Sequence, residues 1–178
     1  MNDLRYLFED VKYGTVSARF ERRSEPPPDV LISNVNVVPF IGDRAVIIRL
    51  ADGQYEVPGG TREPDEAYLD TARRELVEEA GARLLNYTLF GAWRCHSTSE
   101  KPYRPHLPHP EFYRVAGYGD VELVSQPTNP ADGEQVAAVE VLNITEAAEA
   151  FIASERPDLA DLYRLAAQIR EEAQRARL

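Results

Sequence analysis

Glu75, Glu78 and Glu79 crowd one short run of the chain, and three carboxylates at that spacing are the first side chains here that could do chemistry together. They lie in the 23-residue stretch Gly60 to Ala82, GTREPDEAYLDTARRELVEEAGA, which follows directly on Tyr55-Glu56-Val57-Pro58-Gly59. No Gly or Pro interrupts Asp65 to Ala80, and Leu69, Ala72, Leu76 and Ala80 recur at steps of three and four, which predicts a helix with one buried face. At ~100° per residue the three glutamates fall on a separate stripe. Like charges so spaced destabilise a helix, so the arrangement calls for a compensating cation. Oxygen-only ligands suit a hard divalent ion, Mg2+ or Mn2+. Arg74, four residues before Glu78, can brace that carboxylate, and Gly81 supplies the residue that ends a helix.

Taken alone, an acidic run reads as the solvated face of a surface helix. The full spacing departs from that. Gly60, Glu66 after five residues, Arg74-Glu75 after seven more, then Glu78-Glu79 and Gly81 resemble the box of the Nudix hydrolase family, G-x5-E-x7-R-E-U-x-E-E-x-G-U with U a bulky aliphatic. Ala82 is smaller than the family's usual last residue. The resemblance implies an α/β/α sandwich with a mixed sheet, and Mg2+-dependent hydrolysis of a phosphoanhydride. It further implies Glu78 and Glu79 as principal metal ligands, Glu75 as an additional one and the Gly59 carbonyl as another. Gly60 and Glu66 would support the site and Arg74 would brace it. The family's catalytic base often comes from a glutamate on a separate loop. Glu134 is the first candidate, with Glu100 and Glu111 in reserve.

The chemistry stands without the family name. Splitting a phosphoanhydride requires neutralising a diphosphate and activating water, and clustered carboxylates holding a divalent ion can supply both. A net charge of −10 argues against a nucleic-acid polymer as partner. It does not forbid a phosphate substrate, since bound divalent ions reverse the local field. The single cysteine, Cys95, excludes an internal disulfide. No run approaches the ~18 apolar residues of a membrane span, and the N-terminus lacks a signal peptide's pattern. A cytoplasmic, membrane-free protein is expected.

Around the box the chain divides into an extension, residues 1–28, and a domain, residues 29–178. Asp3 to Val11 fits a helical turn or an extended segment, and Tyr13 to Phe20 a strand, before Pro26-Pro27-Pro28 stiffens the connection. Val30 to Phe40 and Arg44 to Leu50 read as a hairpin of buried strands, with Gln54 to Val57 a short strand after the Asp52-Gly53 turn. Arg83 to His96 reads as one long strand and Glu111 to Val124 as another, joined by a proline-rich connection that cannot be a ladder. A loop over Thr128 to Gly133, a strand over Gln135 to Leu142, a helix capped by Thr145, and an amphipathic helix from Pro157 to Arg177 complete the chain. Strands interleaved with helices imply an α/β sandwich.

In the proline-rich connection, Lys101, Arg104 and, beyond it, Arg114 could meet phosphates, while Tyr103, Tyr113 or Trp93 could stack on a base. His96, His106 and His109 lack the helical placement and the cysteine partner expected of a zinc site. The substrate expected is a nucleoside diphosphate linked to another moiety, with a nucleotide sugar or ADP-ribose ahead of (d)NTPs and oxidised dNTPs. The resemblance contributes to that order, because the extension is similar to the dimerising segment of the nucleotide-sugar branch, which also implies a homodimer. The subfamily marks some sixteen residues past the box are not met cleanly: Thr98, Ser99 and Glu100 stand there, with Pro102 and Tyr103 late. The rival reading is a non-catalytic module that binds a nucleotide metabolite.

Overall fold

A computed structural model describes residues 3–177; Met1, Asn2 and Leu178, the outer ends of the expected extension and domain, lie outside the described residues. Ten strands form a mixed sheet with helices on both faces. In chain order they are α1 (Arg5–Phe8), β1 (Val11–Tyr13), β2 (Val16–Arg22), β3 (Ile32–Ile41), β4 (Arg44–Leu50), β5 (Tyr55–Glu56) and β6 (Gly59–Thr61), then α2 (Tyr68–Ala80), β7 (Ala82–Leu84), β8 (Thr88–Ser97), β9 (Glu111–Leu123), β10 (Val136–Leu142), α3 (Ile144–Ala153) and α4 (Pro157–Arg175). The path across the sheet is β1-β2-β8-β9-β3-β4-β10, with β5 on β4, β6 on β3 and β7 on β9. β3 and β9 are parallel and their neighbours antiparallel. The α/β sandwich expected from the sequence is the fold observed.

Central strands in such a sheet are buried on both faces, which is why they read as unbroken apolar runs. From β3 and β4, Val38, Phe40, Ala45 and Ile47 pack with Phe151, Leu162 and Tyr163 of α3 and α4. Val35, Val37, Val46 and Ile48, their alternates, pack with Ala72, Leu76 and Ala80 of α2. Each fully buried Leu or Phe contributes about 2 kcal/mol, so the layer of α3 and α4, with Phe151, Leu159, Leu162, Tyr163 and Leu165, anchors the sheet while α2 is left to carry polar chemistry on its remaining face. The hydroxyl of Tyr163 donates to the Val46 carbonyl at 2.8 Å, pinning α4 to β4.

Several local expectations are corrected. α2 begins at Tyr68 rather than Asp65. Asp65 has φ +60°, a left-handed conformation, and the Glu66 N–H closes a turn on the Glu63 carbonyl at 3.2 Å. Tyr68, edge-on to Tyr87 at 6.2 Å, provides the first turn's core contact in place of Leu69. The long strand over Arg83 to His96 is two strands, β7 and β8, both paired with β9. Between them Asn86 leaves the ladder and grips Asp120, accepting from its N–H at 3.0 Å and donating to its carboxylate at 2.8 Å. Residues 11–22 join the same chain's sheet, with β2 on β8, and α1 docks on α4, where the Tyr6 N–H donates to the buried Asp161 carboxylate at 3.0 Å.

The cap of α3 is Asn143 rather than Thr145. Asn143 Oδ1 accepts from the Glu146 N–H at 2.9 Å and the Glu146 carboxylate accepts from the Asn143 N–H at 3.0 Å, a reciprocal capping box. Asn143→Ala is therefore expected to lower stability by about 1 kcal/mol, a melting shift of about 2–4 °C for a chain of this size. Thr145→Ala should stay within about 0.5 kcal/mol. Thermal denaturation of the two variants decides between the caps.

Candidate active site

The site is built where β6 and α2 meet the middle of the sheet. β6 lies against β3, with Val35 opposite Gly60 and Asn36 opposite Gly59, and the Val37 N–H donates to the Pro58 carbonyl at 2.9 Å. The two glycines are required there by close approach. A Cβ on Gly59 would run into the Val35 carbonyl, and one on Gly60 into the Glu75 carboxylate. Glycine thus lets the turn lie flat between the central strand and the acidic helix.

Arg74 organises the acids. Its Nε donates to Glu66 at 2.8 Å, its Nη1 to Glu75 at 2.9 Å and to Glu78 at 3.2 Å, and its Nη2 to the Thr61 carbonyl at 3.0 Å. Glu66 sits in the loop before α2, so its eight-residue separation from Arg74 is spanned by the loop folding back rather than by two helical turns. That loop is held by Arg62, which donates to the Asp29 carbonyl at 2.8 Å and the Glu66 carbonyl at 2.9 Å. Burial alone would raise the Glu66 carboxyl; hydrogen bonds from Arg74, the Glu63 N–H and Thr71, with the charge of Arg74, reverse that and hold it near 2. Glu66 in turn is the main reason the Arg74 guanidinium is held more firmly protonated than usual.

Glu75 and Glu79 are nearly buried, 8% and 6% exposed. Burial pushes the Glu75 carboxyl up, and Arg74 offsets part of the rise. Glu79 is pushed further, to about 8, first by burial and then by the charges of Glu75, Glu134 and Glu56, against the pull of the Gly59 N–H that donates to it at 2.9 Å. Glu134 is also raised, by burial and by Glu56 and Asp52. Burial is thus the main reason Glu79 favours its protonated form, with the neighbouring acids adding to it.

Gly59, Gly60, Arg74, Glu75, Glu78, Glu79 and Glu134 all line one cleft of about 390 Å3, and Tyr103, Arg104 and Arg114 form part of its wall. Lys101 lines the neighbouring cavity instead. Glu66 braces from behind the cleft through Arg74. The reserve acids fall elsewhere: Glu111 pairs with His96 at 2.6 Å on an outer surface, and Glu100 lines neither space. Trp93 packs on Phe20 and Tyr113 joins the core beside α2, so both serve the interior rather than stacking in the cleft. His106 is occupied with the Arg62 carbonyl at 2.7 Å, and the three histidines do not converge.

The sequence reading missed Glu56, Asn34, Asn36 and Asp132, which also line the cleft. Glu56 is ion-paired with Arg156 at the start of α4. Asn34 and Asn36 carried a visible signal, polar residues at alternate positions that, with Ser33, interrupt an otherwise apolar strand. Asn36 Oδ1 is buried without a hydrogen-bond partner among the described residues. Among those residues no three or more His, Cys, Asp or Glu side chains already stand in a metal-coordinating arrangement: Glu75 and Glu78 share Arg74, and Glu79 turns to the Gly59 N–H. As a donor set the cleft is nonetheless all oxygen and strongly anionic, which fits a hard divalent cation and not a soft one.

The NUDIX domain family model matches residues 31–165. YtkD of Bacillus subtilis (strain 168), provisionally assigned as an 8-oxo-dGTP diphosphatase, is 32% identical over 91 residues, which span 50% of this chain and 54% of that protein. Two solved structures share the fold. The Bacillus subtilis pyrophosphohydrolase BsRppH has a TM-score of 0.57 at 21% identity, covering 75% of this chain and 77% of that one. A NUDIX hydrolase from Nitrosomonas europaea has a TM-score of 0.54 at 20% identity, covering 78% and 89%. No described helix is long and apolar enough to cross a membrane.

The depressed Glu66 carboxyl makes a pH-dependent prediction. A carboxylate whose folded value lies below its unfolded one stabilises the fold above about pH 4.5, and that contribution is lost as pH falls towards 2. At 1.36 kcal/mol per unit the shift corresponds to about 3 kcal/mol as an upper bound, and solvent screening of a part-exposed carboxylate reduces it to about 1–2 kcal/mol. Glu66→Gln should melt about 2–8 °C below the parent protein at pH 7, with the gap closing progressively between pH 4.5 and 2. A gap that does not change with pH would show that Glu66 acts by packing rather than by charge.

Proposed function

The chain belongs to the Nudix family, and from that premise we propose that it is a hydrolase that splits a phosphoanhydride in a nucleoside diphosphate carrying a further group. One observation carries the proposal: Glu75, Glu78 and Glu79 share a cleft with Gly59, Glu134 and the cationic wall of Arg104 and Arg114. Glu78 and Glu79, with Glu75 and the Gly59 carbonyl, would hold Mg2+, or Mn2+ in its place. The bound ion would neutralise the diphosphate and lower the pKa of a water.

The chain's own residues do the rest. Arg104 and Arg114 receive phosphate oxygens and fix the orientation of the bridging oxygen, for which a planar guanidinium suits two oxygens at once. Arg74 and Glu66 hold Glu75 and Glu78 facing the cleft. Glu134 takes the proton of the attacking water, and its raised carboxyl brings it closer to the pH at which a general base works best. Water attacks phosphorus directly, the P–O bond to the leaving phosphate breaks, and no covalent intermediate with the protein forms.

A nucleotide sugar or ADP-ribose is the first substrate class to test. Oxidised dNTPs come next, a reading favoured by the similarity to YtkD. Release of phosphate or nucleotide from ADP-ribose, nucleotide sugars, dinucleoside polyphosphates and oxidised dNTPs, with Mg2+ and with EDTA, tests the whole reading. Turnover of at least one compound that EDTA abolishes is expected. Tight binding of one compound without any turnover would favour a recognition module instead. Glu78→Gln should cut kcat by about a hundredfold or more, the scale of losing one electrostatic group at a reacting centre, while leaving the melting temperature of metal-free protein within a few degrees. An unchanged kcat would place the metal elsewhere.

A further inference from the structure

Beside the carboxylate cleft lies a second cavity of about 530 Å3, within the usual size of a small-molecule site, and its walls are of another kind. Tyr13, Leu107, Pro108 and Phe112 give it flat apolar and aromatic surface. Among the described residues no Asp or Glu lines it, in a chain with 30 acidic residues against 20 basic ones. The two spaces are continuous in their lining, because Asn34, Thr61, Tyr103 and Arg114 border both.

Arg114 stands at that border in a fixed pose. Its guanidinium lies 5.6 Å from the Trp93 ring centroid and 6.0 Å from that of Tyr13, and its Nη1 donates to the Tyr13 hydroxyl at 3.3 Å. Its Nε is enclosed, so the outer guanidinium nitrogens are the ones left to meet an acceptor oxygen where Arg114 lines both spaces. An aromatic base suits flat apolar walls, on which it can stack; a phosphate suits a guanidinium at the entrance.

We propose that the second cavity takes the nucleoside end of the substrate, its base against Tyr13 and Phe112, with the diphosphate passing Arg114 into the carboxylate cleft. This rests on the reading above that the substrate is a nucleoside diphosphate derivative, and it adds where the nucleoside sits and which segment recognises it. Tyr13 belongs to the β1–β2 hairpin, whereas the NUDIX match begins at residue 31. The N-terminal hairpin therefore completes the substrate site of its own chain.

Calorimetric titration of metal-free protein with AMP, GMP, CMP, UMP and ribose 5-phosphate tests this without turnover. At least one nucleoside monophosphate should bind about tenfold or more tightly than ribose 5-phosphate, in the range of one base–aromatic stack. Leu107→Trp, which fills the cavity, should bring that preference to about unity and leave ribose 5-phosphate binding unchanged, and Tyr13→Ala, which removes a wall and also a partner of Arg114, should bring the preference to about unity whatever it does to ribose 5-phosphate binding; a cooperative melt qualifies each variant, and either one suffices. Equal binding of all five compounds by the parent protein, or a preference that survives in a folded variant, overturns the proposal. The hydrolase reading is scored apart from it. Variants that turn over the parent's substrate with unchanged KM remove the cavity proposal and leave the enzyme. A base preference that both variants lose, in a protein that hydrolyses nothing, keeps the cavity and removes the enzyme.

Discussion

One guanidinium against three carboxylates is the interaction on which the rest of the site depends. Arg74 meets Glu66, Glu75 and Glu78 and also the Thr61 carbonyl, so a single side chain ties the loop before α2, the helix itself and β6 into one unit. Such a network stabilises only when its members are satisfied, since a half-buried charge left alone is expensive. The surrounding sequence follows from that demand. Gly60 has no Cβ because Glu75 occupies the space, Arg62 holds the loop that presents Glu66, and Ala72, Leu76 and Ala80 press the back of α2 into the sheet.

Arg74 does not answer every acid. Glu79 has the Gly59 N–H for a partner and the charges of Glu75, Glu134 and Glu56 around it. The cleft thus combines a half braced by Arg74, which holds its shape, with a more deeply buried half, where desolvation and the neighbouring acids favour the protonated carboxyl. Arg156 reaches Glu56 from the start of α4, so the layer that holds most of the aromatic and aliphatic core also touches the rim of the cleft. Both faces of the sheet are apolar where the helices cover them, and the polar chemistry is concentrated on the side of α2 that faces the cleft.

Much of this was legible in the chain before any coordinates. The apolar runs of β3 and β4 as a hairpin, the acidic face of α2 and the proline-rich connection each follow from local pattern. What failed did so for identifiable reasons. Asn86 looks like a strand residue until Asp120 is there to hold it out of the ladder. Thr145 looks like a cap until Asn143 and Glu146 close their reciprocal pair. Leu69 looks like the helix's first anchor until Tyr87 offers Tyr68 an aromatic edge. Two of these errors turn on a partner distant in the chain, Asp120 and Tyr87, and the third on a reciprocal pair within one helical turn.

By itself the sequence determined the helix, its three acids, the bracing arginine and the glycines at either end, because helix periodicity and the spacing of charges are properties of a contiguous segment. It left the opposite wall open. Glu134 was one of three candidate bases and Arg114 one of three candidate cations, while Glu56, Asn34 and Asn36 went unnoticed. Only the packing of β10 beside β4 and the parallel pairing of β3 with β9 bring these segments to one cleft, because their proximity rests on contacts between residues far apart in the chain. Tertiary structure likewise made the N-terminal hairpin a wall of the adjoining cavity, a role that residues 11–22 cannot express until the sheet they join has formed.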